Sequence, residues 1–157
     1  MWSISSIKLS REDRMNRVFV TFLLLFSVTI SSCNFRPVYN APKLKGAMVV
    51  IDALGLKDAK PEFYTVSFKD GRVSFFVLRL GDLVKAYLDA CMKCYPRKMG
   101  YRVNGFYLQC RFCNVSYPID SLKTGVGSCF PVPLKGELRS KEYVIPLKEL
   151  KDALRYF

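Results

Sequence analysis

Histidine is missing from this chain of 157 residues. Its absence excludes the Ser-His-Asp triad, the histidine general base, zinc sites built wholly or partly from imidazole, and haem attachment through Cys-x-x-Cys-His. Any metal must be held by sulfur, carboxylate or backbone. Paired carboxylates, a nucleophile with its base and a phosphate-cradling loop are also not found, so the chain does not read as a hydrolase. Acidic residues are scarce, 13 against 25 Lys and Arg, for a net charge of +12. Such a balance would suit an acidic partner, but the basic residues are scattered from Arg97 to Lys151 and read as a solvated face, with no nucleic acid expected.

The amino-terminal apolar run is short. Val18 to Ile30 spans 13 charge-free residues after Arg14 and Arg17, less than the roughly 18–20 that a membrane span needs and suited to the core of a signal peptide. Met15 offers an alternative start. Ile30-Ser31-Ser32-Cys33 follows and resembles the lipobox of bacterial lipoproteins, in which the cysteine is acylated and becomes the first residue. The competing reading is an uncleaved anchor with Cys33 incidental. Either way the domain would be tethered to a membrane on its extracytoplasmic, periplasmic side. The expected organisation is a signal peptide over 1–32, a lipid-anchored tether over 33–45 and a Cys-rich metal-binding domain over 46–157.

Five cysteines remain in the mature chain: Cys91-Met92-Lys93-Cys94, then fifteen residues, then Cys110-Arg111-Phe112-Cys113, with Cys129 downstream. Paired Cys-x-x-Cys knuckles at about this separation are a strong signal for a four-thiolate metal site, since each supplies two sulfurs to one tetrahedron. Disulfides compete, because exported proteins meet an oxidising environment, but two of them would leave one thiol over. The export signal carries no twin-arginine pair, so the chain would leave the cytosol unfolded and take up metal afterwards. Zinc, mononuclear iron and copper(I) all suit thiolates.

Between tether and knuckles the residues read as strands. Ala47 to Ile51 is a short apolar run. Phe63–Phe68 and Arg72–Leu80 flank a Lys69-Asp70-Gly71 turn, and Leu83 to Ala90 follows Gly81-Asp82. Val84, Ala86, Leu88 and Ala90 alternate with Lys85, Tyr87 and Asp89, the pattern of a half-buried strand that delivers Cys91 at its end. Asp89 reads as a structural hydrogen-bond acceptor. Between the knuckles, Gly100 to Leu108 forms a hairpin with Asn104-Gly105 as its turn, both needing positive φ. Its base brings the four knuckle sulfurs together. Glycines at 125 and 127 would let the backbone beside Cys129 approach a buried centre. Lys141 to Ile145 is a last strand, and Leu147, Leu150 and Leu154 form one stripe of a closing helix.

Ala86 to Cys94, Gly100-Tyr101, Cys110 to Cys113 and Gly127-Ser128-Cys129-Phe130-Pro131 together resemble, in that order, the FtrD-like membrane iron-sulfur proteins. The resemblance runs from about Phe75 to Leu150. It implies a thiolate metal centre outside a membrane, linked to ferrous iron uptake through iron permease or redox partner proteins, with electrons taken up when iron is oxidised. It also implies Cys91, Cys94, Cys110 and Cys113 as ligands and Cys129 as a further ligand or redox thiol.

The expected protein is thus a mainly β (α+β) domain, a small meander with a two-knuckle ribbon hairpin and a short C-terminal helix. It would carry an iron-sulfur cluster or a single Fe, Zn or Cu ion and act as an electron carrier or metal handler in iron uptake or respiration rather than as an enzyme. A structural zinc-ribbon interaction module is the alternative. A thiol-disulfide redox protein comes third, since its reactive pair belongs at a helix N-terminus, where the thiol pKa is lowered.

Overall fold

The computed structural model describes residues 36–123 and 127–157. Cys33, the apolar run before it and the glycine at 125 lie outside the described residues. Among those described, eleven strands form three antiparallel sheets, and no helix is long and apolar enough to cross a membrane.

The central layer is the meander. Strands β3 (Glu62–Phe68), β4 (Gly71–Leu80) and β5 (Leu83–Cys91) pair in sequence order, and β9 (Pro131–Leu134) adds to the edge of β5. Prolines 131 and 133 fit this position because a residue with no N–H can occupy an edge strand without breaking a ladder. A second sheet runs β1 (Lys43–Lys45), β2 (Met48–Asp52), β11 (Glu142–Pro146) and β10 (Glu137–Arg139). The third runs β6 (Tyr101–Asn104), β7 (Tyr107–Cys110) and β8 (Ser116–Pro118). A helix, α1 (Leu147–Asp152), and a short 3-10 turn (Ala153–Tyr156) close the chain. Leu150 is fully buried, with Leu147 and Leu154 packed at the margin of the core.

Each face of the meander has its own core. Val73, Phe75 and Val77 of β4 and Ala86, Leu88 and Ala90 of β5 face one way, against Val49 and Ile51 of β2, Ile145 of β11 and Leu150 of α1. The intervening Phe76, Leu78, Tyr87 and Cys91 face the other way, against Tyr101, Leu108, Cys110 and Leu122. Burying side chains of this size contributes about 1.5–3 kcal/mol apiece. β5 is therefore not half-buried: the alternation is as expected, but from Ala86 to Cys91 both faces are covered. One face of the strand is hydrophobic core and the other carries Tyr87, Asp89 and Cys91 toward the ribbon.

One local feature also differs from the sequence reading. The ribbon turn is Gly105-Phe106 rather than Asn104-Gly105, because Asn104 pairs with Tyr107 as the last residue of β6. Only Gly105 has positive φ, +59°, as in turns that take glycine at the first central position. Ahead of β1, Tyr39 and Asn40 lie against the meander: the Tyr39 N–H donates to Thr65 Oγ1 at 3.0 Å, the Tyr39 ring packs on Phe63 at 4.8 Å, and the Thr65 N–H donates to the Asn40 carbonyl. Thr65 is buried and shares a 3.0 Å hydroxyl contact with Ser74, so the polar pair inside the sheet is satisfied.

Candidate metal centre

Cys91 is the last residue of β5, and Cys110 is the last of β7, paired with Tyr101 across the ribbon. Each is the first cysteine of its knuckle and each is buried. The chain turns tightly after both. The Cys94 N–H donates to Cys91 Sγ at 3.3 Å, and the N–H groups of Phe112 and Cys113 are directed at Cys110. Backbone donors aimed at sulfur favour the thiolate, the form that binds metal. Asn114 takes a positive φ of +59° as the second knuckle rejoins the sheet, where the Cys110 N–H donates to the Val115 carbonyl at 2.9 Å.

All five thiols come together. Cys91, Cys94 and Cys110 form one group whose sulfurs all lie within 4.8 Å of one another, and Cys94, Cys113 and Cys129 form a second. Cys113 and Cys129 Sγ are 3.4 Å apart. The sulfurs are thus gathered as two threes with Cys94 common to both, and Cys129 lies inside the assembly.

Burial raises every thiol of the set, and local donors decide which come down again. Cys91 ends below its ordinary value because the N–H groups of Cys94 and Lys93, the Tyr101 hydroxyl and the Cys94 thiol outweigh desolvation. Cys113 also ends low, through the Val115 N–H and the thiols of Cys129, Cys110 and Cys94. Burial and the neighbouring thiols push Cys94 and Cys129 up, and burial carries Cys110 up to about 11. A cation among these sulfurs would reverse the upward shifts by stabilising every thiolate at once.

Several supporting residues belong to no metal-ligand motif in the sequence. Tyr101 is fully buried, its hydroxyl donating to the Cys129 carbonyl and facing the Cys91 thiol. Tyr117 accepts the Cys129 N–H at 3.3 Å. Arg97, just past the first knuckle, stands 5.0 Å over the ring of Phe112 in the second and ties the two together. Asp89 is an acceptor, as expected, taking the Tyr101 N–H at 2.6 Å, but it is also completely buried. Its ionic partner is Arg36 at 3.9 Å, whose guanidinium lies 4.2 Å over the Phe157 ring. Gly127 has φ of +133°, and a side chain there would collide with Tyr117, so this glycine does let the backbone close on the centre. Four of the thiols fall between Asp89 and Val115, with Tyr101 between the two knuckles, so a buried aromatic in that interval was the signal that could have found it.

The donor set is soft, all sulfur and free of imidazole, which fits iron-sulfur and other thiolate-bound centres. These observations define a β protein with a thiolate metal centre. Residues 56–157 match the family model described as membrane iron-sulfur containing protein, FtrD-like. The chain belongs to that family. No curated protein and no solved structure matches it.

Proposed function

We propose that the protein is an extracytoplasmic, lipid-anchored carrier that passes electrons or metal in iron uptake or respiration, with Cys91, Cys94, Cys110, Cys113 and Cys129 as the metal-binding residues. The observation that supports this most directly is the convergence of five free thiols at one edge of the fold. When bound there, an iron centre would supply one-electron chemistry that thiols alone lack. The protein's own residues set the terms for it. Cys91, Cys110 and Cys129 are buried, which excludes water, while Cys94 and Cys113 are half-buried residues whose sulfurs turn in to the cluster. Met92, Tyr95 and Phe112 are exposed beside them and form an apolar rim on which a redox partner or an iron permease could rest. The Tyr101 hydroxyl and the knuckle amides are directed at the Cys91 and Cys110 sulfurs and would help to hold them. The pair Cys91 and Cys94 ends a strand rather than opening a long helix, which argues against thiol-disulfide exchange as the main activity.

The test is the metal content and visible spectrum of full-length protein isolated anaerobically from its native membrane fraction. Iron with sulfur-to-metal charge-transfer bands that bleach on reduction is expected. A colourless protein with stoichiometric zinc would overturn the carrier reading in favour of a structural ribbon.

A further inference from the structure

We propose that a cavity walled by Arg36, Arg72 and Lys98, away from the thiols, binds a phosphate group, that of an anionic phospholipid beside the anchored end of the domain. The inference takes the lipid anchor at Cys33 from the proposed function and adds a second, non-covalent hold on the same bilayer.

The cavity measures about 600 Å3 and lies over the hairpin of β3 and β4. Its walls come from parts of the chain far apart in sequence: Arg36 ahead of β1, Thr65 on β3, Arg72 and Ser74 on β4, and Lys98 beyond the first knuckle. Asp70 is the one acidic side chain in the lining. A cleft dominated by one sign of charge focuses its field on a counter-ion. Arg72 and Lys98 form no ion pair among the described residues.

The guanidinium of Arg36 is only 11 % exposed, yet its Nε and Nη2 have no hydrogen-bond partner among the described residues. Its face rests on the Phe157 ring, and Nε is 3.9 Å from Asp89 Oδ2, so Asp89 supplies charge without accepting a hydrogen bond. Buried donors without partners are rare, and an acceptor entering the cavity would complete them. With the Tyr39 N–H already on Thr65 Oγ1, donation from Thr65 to Ser74 across their 3.0 Å contact frees the Ser74 proton for the same acceptor. Two guanidinium groups, an ammonium and a hydroxyl suit the several oxygens of a phosphate, which arginine grips with its planar fork.

Position points to the source of that phosphate. Arg36 is three residues beyond Cys33 in the chain, and three residues reach at most about 11 Å. Acylation at Cys33 therefore brings this wall of the cavity within reach of the head groups. A single acylated residue leaves a domain free to swivel, whereas a second contact with the bilayer would hold the metal centre in one orientation.

The test uses the full-length chain in neutral-detergent micelles doped with equal amounts of phosphatidylglycerol and phosphatidylcholine, with inorganic phosphate added in a parallel series. Native mass spectrometry reads what each chain retains. One phosphatidylglycerol per chain is expected, in preference to phosphatidylcholine, whose trimethylammonium would face the same cations. Arg36→Gln would leave Asp89 buried without its cation, so Arg72→Gln and Lys98→Gln, at exposed positions, carry the test. Each should weaken retention by about tenfold, while Lys60→Gln, which removes a charge outside the cavity, should not. Inorganic phosphate retained in place of lipid, with the same dependence on Arg72, would uphold the phosphate site and make the free ion its ligand. Equal retention of the two lipids, or retention unchanged in Arg72→Gln and Lys98→Gln, overturns the proposal. The same spectra give the mass at Cys33. An acylated chain that retains no phosphatidylglycerol counts against the cavity alone, and an unacylated chain that retains it counts against the anchor alone.

Discussion

Gly100 sits directly against the carboxylate of Asp89: a Cβ on Gly100 would lie 2.5 Å from both Asp89 oxygens. The same glycine has φ of +68°, so it is required twice, by the turn that enters the ribbon and by the buried acid beneath it. Gly100→Ala should lower stability by roughly 2 kcal/mol or more, from the left-handed conformation and the collision together. Urea unfolding would show this as a lower midpoint with an unchanged slope. A midpoint equal to the parent's would mean that the ribbon is not seated on Asp89.

Burial pushes the Asp89 carboxyl up to about 6 from its ordinary 3.8, against the opposing pull of the Tyr101 N–H, Arg36, Arg111 and Tyr39. Because the folded value is the higher one, the folded state keeps a proton that the unfolded chain has given up between about pH 4 and 6. The associated stability is fully present below about pH 4 and lost as the pH rises through about 6, a change on the order of 3 kcal/mol. Urea unfolding at pH 4, 5, 6 and 7 should therefore fall more steeply for the parent than for Asp89→Asn. Parallel profiles would show that this acid does not titrate as its burial requires.

The Tyr101 hydroxyl faces both Cys91 and the Cys129 carbonyl. Tyr101→Phe should keep the fold at a cost of about 1–2 kcal/mol and remove one donor that helps hold the Cys91 thiolate. Metal affinity should fall by roughly tenfold, the usual scale for a group that supports a ligand without being one. The pH dependence of Cys91 alkylation in metal-free protein should move upward. Unchanged alkylation together with unchanged affinity would reduce Tyr101 to core packing.

Removing the metal exposes the thiols to oxidation. Cys113 and Cys129 Sγ lie 3.4 Å apart, so in air the chelated protein should form a Cys113 to Cys129 disulfide first, each thiol giving up one electron and one proton to oxygen. Peptide mapping under non-reducing conditions reads the linkage. Bridges within the knuckles, Cys91 to Cys94 or Cys110 to Cys113, would contradict the observed proximity.

Processing at the lipobox-like Ile30-Ser31-Ser32-Cys33 predicts that Cys33→Ala leaves an uncleaved precursor that takes up no labelled fatty acid. Labelling equal to the parent's would rule out acylation at this cysteine.

The resident chemistry of this chain was legible without coordinates because it depends on residue type and local spacing. A chain without histidine but with two Cys-x-x-Cys knuckles points a metal to sulfur, and the alternation in 63–68, 72–80 and 83–90 defines three strands by a rule of period two. The closing helix was equally readable from Leu147, Leu150 and Leu154. Alternation, however, tells which residues share a face and not what covers that face. Only the third sheet, folding back over β5, turned a half-buried strand into one covered on both sides and put Asp89 out of reach of water. The partners of that acid, Arg36 and Tyr101, come from opposite sides of it in sequence and meet it only after the sheets stack. The gathering of the five sulfurs was likewise a tertiary outcome. Knuckle spacing holds sulfurs together within one turn, whereas the separation between knuckles, and the arrival of Cys129 from a distant loop, depend on where β5, β7 and β9 come to rest against one another.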